Sequence, residues 1–581
     1  MRKKGFTLVE MLAVITILGV VLMVAIPSIQ NQVNSKRKDV DKRTTEMILS
    51  AAENYVSGNP NTYLNVYQSG ENKNTYCLTV QTLIDADMLE APVKIYSTGK
   101  EVNPNLGIKV DTNKNKEFVY SLLKEGESCV GTTAKLTLYK DPNLKASSRD
   151  SENPYPELYT GMIPVVYDEG SNSWKKANLY TSWYEYSTDA KTGYRWANAV
   201  TVAEHSSKCE ATKTCIDNHK SHGRDYYNTA IAGTTISMDD ITGMYVWIPR
   251  YQYNLKAPYG VEYPSGDGAP NVQAPGLINV KFLSTTAAAD TNWHIPSAFE
   301  FGTSTLTGFW MAKFETSPDS TSTCYKTPND TNCNKDTINA YVVPNRHSWN
   351  YIDVANAFKA GLNMSVPKNI HGLKNSQIDT HMTKNAEWGA VSYLSQSEYG
   401  IRKLKGASAT AREISDNNYF NNNRFWTGCS AGRPADDSSF VTTCPAEHRY
   451  SHPSSAAGTT SGTIYGVYDM SGGAWDMVSG VLKDNWGNYK SNFVGKNKYF
   501  DQYGANLNSA CEEGVCYGHA LSETNNWYHD YNTFINTSEM YLYRGGRANM
   551  DSTKGIYAFG RTNGAAGYHL SFRVSITRKG Y

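Results

Sequence analysis

One pentapeptide in this chain of 581 residues has the spacing of a hydrolase nucleophile. The stretch at 428–432, GCSAG, matches the pattern G-x-S-x-G, in which the central serine, here Ser430, would attack an ester or amide carbonyl. Such a serine needs a buried strand before it and a helix after it. The flanking sequences, NNYFNNNRFWT and RPADDSS, are typical of loops. We therefore predict no catalytic residue.

Ten cysteines are the second set of residues that could do chemistry. Most are close neighbours, as in CEATKTC and CEEGVC, which indicates local disulfide bonds formed in an oxidising environment. A metal site is the alternative for CEATKTCIDNHKSH, but a zinc finger has a longer gap between its Cys and His pairs. We predict no metal and no cofactor. Pairing in chain order, which stays a hypothesis, predicts Cys77–Cys129, Cys209–Cys215, Cys324–Cys333, Cys429–Cys444 and Cys511–Cys516.

Composition narrows the class of protein. The net charge of +1, from 56 basic and 55 acidic residues, has no excess that would attract nucleic acid. The chain also contains 41 tyrosines and 12 tryptophans, rings that must be buried or presented to a partner, which excludes a disordered chain. These features indicate turn-rich β structure after an N-terminal helix.

A carboxylate interrupts the apolar segment near the N-terminus. Residues 6–29 are almost all apolar, and a helix of that length spans about 36 Å, enough to cross a bilayer. Glu10 lies inside this segment, where a charge costs roughly 2.5–3.5 kcal/mol. A secretory signal peptide would have a shorter apolar region. A plain membrane anchor explains the length and the basic residues before it, but neither alternative explains Glu10.

The stretch KKGFTLVEMLAVITILGVVLMVAIPSI resembles the class III signal of type IV pilins and pseudopilins. In that family a prepilin peptidase cuts after the glycine that matches Gly5, and the new first residue, here Phe6, is N-methylated. The assembly glutamate of the family matches Glu10, and its helix-bending proline matches Pro27. The resemblance implies that Glu10 neutralises the Phe6 amine of a neighbouring subunit, so that subunits associate head to tail into a filament.

An amphipathic pattern continues beyond the apolar segment. Apolar residues recur at helical spacing up to the helix breakers in SGNPN at 57–61. We expect this stripe to pack on a small head, in which TYCLTVQTLIDADMLEAPV resembles the short helix that follows in Gram-positive-type pilins. The disulfide bond between Cys77 and Cys129 would bracket that head.

Four stretches in the C-terminal part share the order of landmarks of a second family. LTGFWMAKFETS is predicted to be a strand that ends in Glu315, and HMTKNAEWGAVSYLSQSEYG a helix with Glu387 and Trp388 on one turn. GTIYGVYDMSGGAWDMVSG contains Trp475 and Asp476, and YLYRGGRANMDSTKGIYAFGRTNGAAGYHLSFRVSI is the last stretch. Together they resemble the formylglycine-generating-enzyme branch of the C-type-lectin-like fold, over about residues 236–581. The resemblance implies an irregular α+β domain whose last strand, SFRVSI, packs against the first.

Enzymes of that branch bind copper through two cysteines after the RGG motif. Met550 and Gly555 stand near those places, and neither a thioether nor a hydrogen can replace a thiolate ligand. The ergothioneine-type relatives use a histidine iron site in an accompanying helical domain, of which this sequence has no sign. We therefore predict that the protein is not an enzyme, with an enzyme of this family with altered chemistry as the alternative.

Side chains suited to binding are dense between residues 525 and 571. Tyrosine and tryptophan supply large rigid contact areas, and asparagine supplies adaptable hydrogen bonds. This tail also resembles the variable proteins of diversity-generating retroelements. The alternative is that the aromatic residues fill the core. The predicted ligand-binding surface consists of Trp527, Tyr528, Tyr531, Asn532, Asn549, Tyr557, Asn563 and Tyr568.

These observations predict an α+β protein with a prepilin leader at 1–5 and a transmembrane and assembly helix at 6–57. A small pilin head at 58–135, a β-rich connecting region at 136–235 and a C-type-lectin-like domain at 236–581 would follow. We expect a minor or tip pilin-like subunit that binds a surface ligand, because so large a head would crowd a densely packed shaft.

The expected partners are prepilin peptidase, other pilin subunits, the cytoplasmic membrane and a protein or glycan ligand, but not nucleic acid. The expected location is the membrane as a single-pass protein, and after assembly an extracellular pilus or the cell surface. A simple membrane-tethered structural protein is the third alternative.

Overall fold

The computed structural model describes part of the chain, and the predicted leader and membrane segment lie outside that part. The described residues form two compact units, the first up to residue 135 and the second from residue 156 onward. The described ranges are 44–53, 55–56, 63–66, 76–86, 88–95, 100–112, 118–123, 129, 133–135, 156–179, 183–189, 193–204, 223–255, 275–283, 287–319, 331–402, 426–429, 444, 446, 449–507, 510–511, 516–547 and 555–579.

The first unit combines helices with an antiparallel sheet. Helix α1, described over 44–53 and 55–56, buries Ile48, Ala52 and Val56, which recur every four residues and so share one face. Helix α2 (Val80–Asp85) begins at Thr79, whose hydroxyl accepts a hydrogen bond from the Thr82 amide. The strands are β1 (Tyr63–Val66), β2 (Tyr76–Thr79), β3 (Gly107–Thr112), β4 (Phe118–Leu122) and β5 (Thr133–Lys135), in the order β4-β3-β2-β1-β5.

A large antiparallel sheet forms the centre of the second unit. Its strands are β6 (Met162–Asp168), β7 (Ser173–Lys176), β8 (Asn198–Val202), β9 (Ile241–Pro249), β14 (Gly308–Ala312), β17 (Ile378–Met382) and β23 (Val574–Arg578), in the order β17-β23-β14-β9-β8-β6-β7. Trp310 of β14 pairs with Trp247 of β9 and with Ile576 of β23, and all three side chains are buried. Strands β6 to β8 come from the predicted connecting region, so the boundary predicted near residue 236 does not separate two sheets.

A second sheet, which we call the C-terminal sheet, lies in the same unit. It contains β18 (Trp475–Leu482), β19 (Asp501–Tyr503), β20 (Tyr541–Arg544), β21 (Phe559–Thr562) and β22 (Leu570–Phe572). Strand β18 pairs in parallel with β19 and β22 and antiparallel with β20, which pairs with β21. Arg573 separates β22 from β23, so the chain passes from one sheet to the other at this residue.

Short elements connect and cover the sheets. The longest helices that the structure describes in the second unit are α4 (Val354–Asn363), capped by Asp353, and α5 (Asn385–Ser395), in which every residue is buried. Two shorter helices of this unit are α3 (Arg224–Thr229) and α6 (Pro453–Ala456). Two-stranded pairs are β10 (Tyr251–Asn254) with β11 (Asn279–Phe282), β12 (Glu300–Phe301) with β13 (Ser304–Thr305), and β15 (Ser317–Pro318) with β16 (Ala340–Tyr341). Few helices and mostly antiparallel sheets confirm the predicted α+β class.

Candidate ligand-binding face

Phenol and basic side chains cluster on the C-terminal sheet and on the turns beside it. Tyr543 belongs to β20, and Arg547 follows that strand after a double glycine. Tyr568 and His569 immediately precede β22. Tyr531 lies beside β21, because the amide of Phe559 donates to its carbonyl over 3.0 Å. We call Tyr531, Tyr543, Arg547, Tyr568 and His569 the Tyr–Arg face.

Two glycines determine where Arg547 lies. Gly545 and Gly546 have φ values of +81° and +72°, a region that costs residues with a Cβ atom about 1–2 kcal/mol. A Cβ atom at Gly545 would lie 2.7 Å from the carbonyl oxygen of Met470 and 2.8 Å from the ring of Trp388. The RGG sequence thus turns the chain tightly over the core, and Arg547 is the first partly exposed residue after the turn.

Arg547 and Tyr568 are in direct contact. The Nη1 atom of Arg547 donates to the Tyr568 hydroxyl over 2.7 Å, and its guanidinium carbon lies 5.3 Å from the ring centre, within cation–π range. Tyr568 is 46% exposed, and its ring meets that of His569 edge-on at 4.9 Å. Burial, with a further contribution from Arg547, lowers the pKa of His569. The imidazole is therefore neutral at pH 7, and Arg547 is the cation.

Tyr543 lies among charged and phenolic groups. Burial raises its pKa to about 12, and the neighbouring Tyr531 and Glu539 add to the rise, whereas Arg547 and Arg561 oppose it. Arg561 already pairs with Glu539 at 2.9 Å. Within the residues that the structure describes, Arg547 has no carboxylate partner, so the face carries an unneutralised positive charge.

Three residues of the predicted binding surface are buried, so that part of the prediction is wrong. Trp527, Tyr528 and Tyr557 are at most 1% exposed and do not line a surface. The Tyr557 ring meets Trp527 edge to face at 5.1 Å and lies nearly parallel to Tyr528 at 6.1 Å. The Tyr528 hydroxyl accepts a hydrogen bond from the Gln396 amide over 2.7 Å. These rings pack on one another and on α5, as the alternative of a core role predicted.

The other predicted surface residues have different positions. Tyr531 is 39% exposed, Asn563 is exposed and Asn532 is partly buried, whereas Asn549 lies outside the described residues. Tyr543, Arg547 and His569 were not among the residues predicted from the sequence. A signal for Arg547 was present, because a basic residue directly after a double-glycine turn must leave the strand. No local pattern distinguishes the exposed tyrosines of this region from the buried ones.

The turn before Tyr531 has an unusual backbone and a buried acceptor. Asn526, Tyr528 and His529 have φ values of +62°, +56° and +63°, each costing roughly 1–2 kcal/mol. Next to them, the buried Asp530 carboxylate accepts hydrogen bonds from the amides of Gly555, over 2.8 Å, and Tyr557, over 3.0 Å. Asp530 therefore holds the strained turn against the segment that leads into β21.

We expect Asp530→Ala to lower the free energy of unfolding by about 2–4 kcal/mol, because two buried amides lose their acceptor. Asp530→Asn keeps one acceptor oxygen and should cost less. Denaturant unfolding followed by tryptophan fluorescence measures both, with Ser538→Ala, at an exposed position nearby, as the control. A loss for Asp530→Ala no larger than that of the control would contradict the role of Asp530.

The motif residues Glu315 and Asp476 meet in a buried ionic cluster. The Nε atom of Arg573 donates to Asp476 over 3.2 Å, and its Nη1 atom donates to the Ala312 carbonyl of β14 over 3.0 Å. Glu315 accepts hydrogen bonds from the Ser348 hydroxyl and, over 2.8 Å, from the amide just before β18. The cluster thus links the large sheet to the C-terminal sheet where the chain crosses between them.

A third carboxyl, Asp469, belongs to this cluster and accepts the Gly428 amide. Burial raises the pKa of all three carboxyl groups. It raises the pKa of Asp469 to about 7 and that of Asp476 to about 6, and it also raises that of Glu315, while Arg573 opposes each rise. One guanidinium cannot neutralise three carboxylates, so the cluster retains protons near neutral pH. In the described part of the chain, no group of three or more His, Cys, Asp or Glu residues is arranged to hold a metal ion.

The other motif pair has a structural role in helix α5. Glu387 accepts the amide of Lys384 over 2.8 Å at the start of the helix, and its second oxygen lies 2.9 Å from Nε2 of His381. The Trp388 indole donates to the Ile556 carbonyl over 3.1 Å. Both side chains are fully buried. Trp388 attaches α5 to the segment before β21, and Glu387 links the start of α5 to β17.

The disulfide bonds follow the predicted order where the structure describes them. Cys77–Cys129, Cys429–Cys444 and Cys511–Cys516 are bonded, with sequence separations of 52, 15 and 5. Cys333 is also disulfide-bonded, whereas Cys209, Cys215 and Cys324 lie outside the described residues. Ser430 and Met550 also lie outside the described residues, as do His219 and His222 of the predicted metal alternative.

The processing and assembly residues Gly5, Phe6, Glu10 and Pro27 also lie outside the described residues. In the comparison with known families, the model described as "Prokaryotic N-terminal methylation motif" matches residues 1–26, a range that contains Gly5, Phe6 and Glu10 but not Pro27. The chain therefore carries a class III signal of the type IV pilin kind. No curated protein matches the chain. Among the described helices, none combines the length and the apolar character of a membrane span.

Proposed function

We propose that the protein is a minor or tip subunit of a type IV pilus or pseudopilus whose C-terminal unit binds a ligand outside the cell. The methylation motif at residues 1–26 carries the proposal. Prepilin peptidase would cut after Gly5, and Phe6 would become the methylated first residue. Glu10 of one copy would then face the cationic amine of another inside an apolar bundle, where opposite charges attract strongly.

The size of the C-terminal unit supports the minor or tip position. Its described residues extend from 156 to 579, several times the number in the first unit. Regular packing of N-terminal helices into a shaft brings successive subunits close together, and a unit of this size would crowd its neighbours. A subunit at the tip of the fibre, or one that is rare within it, does not crowd copies of itself in this way.

We further propose that the C-terminal unit has the C-type-lectin-like fold of the formylglycine-generating-enzyme branch. The final strand β23 pairs with β14, the strand of the first motif stretch, whereas β9, the first strand after residue 236, pairs with β14 and β8. The motif residues Glu315 and Asp476 lie in one buried cluster, and Glu387 and Trp388 share the first turns of α5. This agreement between motif order and spatial arrangement supports the assignment.

We also propose that the unit binds its ligand without chemical conversion. Cys511 and Cys516 form a disulfide bond, so they offer no thiolate for copper. Gly555, near a copper-ligand position of the enzyme family, donates its amide to Asp530 and has no side chain that could bind a metal. These observations favour a binding protein over an enzyme with altered chemistry.

One pair of residues has the spacing of a hydrolytic dyad. The Ser297 hydroxyl lies 2.7 Å from Nε2 of His519, whose Nδ1 atom lies 2.7 Å from the Tyr503 hydroxyl. That hydroxyl accepts a hydrogen bond from the Asn385 amide over 2.9 Å, which leaves its own proton available to Nδ1. When the phenol donates to Nδ1, Nε2 carries the imidazole proton and donates to Ser297. A histidine in this tautomer cannot accept the proton of a serine nucleophile.

Analysis of the mature N-terminus tests the proposed function most directly. We expect intact-mass and N-terminal sequencing of protein recovered from cells to show a chain that begins at N-methyl-Phe6. Gly5→Leu should block cleavage and leave Met1 in place, whereas Gly170→Leu, in an exposed turn, should be processed normally. Retention of Met1 in the wild-type protein, or a cut near Ala25, would refute the pilin-like function.

A further inference from the structure

We propose that the Tyr–Arg face binds the carboxylate of an acidic sugar, a uronic or sialic acid residue, through Arg547 and the hydroxyl of Tyr568. This inference rests on the proposed function, because it names the ligand class of the same C-terminal unit. It depends on the direction of the hydrogen-bond donors, the unneutralised charge and the shape of the face.

The donors of Arg547 and Tyr568 converge. One N–H group of Nη1 donates to the Tyr568 oxygen over 2.7 Å, so the phenol accepts and keeps its own proton for another partner. The Nε atom of Arg547 is buried, which leaves the Nη1–Nη2 end of the guanidinium for a ligand. The second N–H of Nη1, an N–H of Nη2 and the phenol O–H can together bond to a carboxylate, an acceptor with two oxygens.

The charge of the face selects an anion. Arg561 is neutralised by Glu539 at 2.9 Å, and the lowered pKa of His569 leaves its imidazole uncharged at pH 7. Among the described residues of the face, Arg547 alone therefore supplies net positive charge, and it is partly exposed. A ligand carboxylate would supply the counter-charge that the described residues do not.

The aromatic groups favour a sugar over a peptide. Tyr568 and Tyr531 are 46% and 39% exposed, and the ring of Tyr543 packs on Trp475 at a centroid distance of 4.5 Å, which fixes its orientation. The negative face of such a ring attracts the positively polarised C–H groups of a sugar. An acidic peptide would most readily bind by extending the sheet along β21. That edge already bonds to residues 531–533, because the Phe559 amide donates to Tyr531 and Thr533 donates to the Phe559 carbonyl.

The test compares an acidic sugar with its uncharged ester. Full-length protein in detergent is titrated with sialyllactose, oligogalacturonate, the methyl ester of each and neutral lactose, and binding is followed by saturation-transfer NMR and calorimetry. We expect at least one free acid to bind about tenfold or more tightly than its ester, since a hydrogen bond to a charged group contributes that factor or more. Binding should weaken as salt increases.

Variants test the residues that carry the inference. Arg547→Ala should lower the affinity about tenfold or more, and Tyr568→Phe, which removes one donor but keeps the ring, should lower it less. The matched control is Arg578→Ala, an exposed arginine at the end of β23, which should leave binding unchanged. Thermal unfolding midpoints equal to wild type would exclude misfolding as the cause.

Each contrary result overturns the inference. Equal affinity for acid and ester, unchanged affinity of Arg547→Ala, or binding of an acidic peptide such as hexaglutamate but of no acidic sugar would do so. If neither sugar acid binds while the mature chain begins at N-methyl-Phe6 and fibres still adhere to surfaces, the sugar inference fails and the proposed function stands. If Met1 is retained and fibres are absent, the proposed function fails, whatever the sugars do.

Discussion

Arg573→Met is expected to lower the free energy of unfolding of the C-terminal unit by about 3–5 kcal/mol at pH 7.5, because it leaves buried carboxylates without their cation. The side chain is fully buried and occupies the single residue between β22 and β23. It joins Asp476 of the C-terminal sheet to the Ala312 carbonyl of the large sheet. The substitution therefore removes both a counter-charge and a link between the sheets.

The loss should depend on pH in a defined direction. Burial raises the pKa of Asp469 to about 7 and that of Asp476 to about 6, above ordinary values near 4. Between about pH 4 and 7 the folded protein thus binds more protons than the unfolded chain, and the free energy of unfolding falls as pH rises. Without Arg573 the largest contribution that opposes these shifts is lost, so the fall should be steeper and extend to higher pH.

Denaturant unfolding of the full-length protein between pH 5 and 8 measures this effect. Arg573→Lys keeps the charge but loses the planar pair of donors, and should be intermediate. Asp476→Asn removes one of the three carboxyl charges and should flatten the pH dependence at a smaller cost than Arg573→Met. If Arg573→Met failed to fold, Arg573→Lys and Asp476→Asn would still test how the ionic cluster affects stability. If the free energy of unfolding of every variant depended on pH as that of the wild type does, the proposed role of the cluster would be contradicted.

Glu10→Gln is expected to abolish incorporation into fibres while leaving membrane insertion and cleavage intact. Glutamine has nearly the same shape and passes into a bilayer more readily than a carboxylate, so insertion should not suffer. What it lacks is the negative charge for the Phe6 amine of the next subunit. In an apolar bundle that amine would be left without a counter-ion, at a cost of several kcal/mol for each contact.

Fractionation of cells followed by shearing of surface fibres measures the two outcomes separately. The variant should appear in the membrane fraction with a mature N-terminus and be missing from the sheared fibres. Glu46→Gln is the matched control, because the same change occurs in α1 beyond the apolar segment. Normal incorporation of the Glu10 variant would remove the assembly role. Loss of the control as well would show that fibres respond to any change in the N-terminal helix.

Features with a local cause could be predicted from the sequence. Cys429–Cys444 and Cys511–Cys516 are separated by 15 and 5 residues, and short loops bring near neighbours together whatever the rest of the fold does. The helix with Glu387 and Trp388 lies within its predicted stretch, at Asn385–Ser395, because its capping interaction with Glu387 is also local. The turn-rich β structure followed from many short strand patterns between turns, whereas the α+β class was implied by the family resemblance.

Features that depend on distant contacts could not be predicted in this way. Tyr528 and Tyr531 are three residues apart, yet one is 1% exposed and the other 39%. Tyr528 is buried because it meets Gln396 and Tyr557, residues that only the fold brings near. The predicted boundary near residue 236 divides strands of one sheet for the same reason, since pairing between β8 and β9 has no local signature.

The sequence by itself determined the N-terminal signal, the α+β class and the disulfide bonds between neighbouring cysteines. A peptidase recognises a linear motif, and Glu10 is conspicuous because it is the one charged residue in an almost wholly apolar segment, residues 6–29. Only the tertiary structure decided that Arg547, and not Trp527 or Tyr557, belongs to the candidate binding face, and that Arg573 connects two sheets among buried carboxyls. Burial and charge compensation depend on contacts between residues that are far apart in the chain, and a local sequence pattern does not specify those contacts.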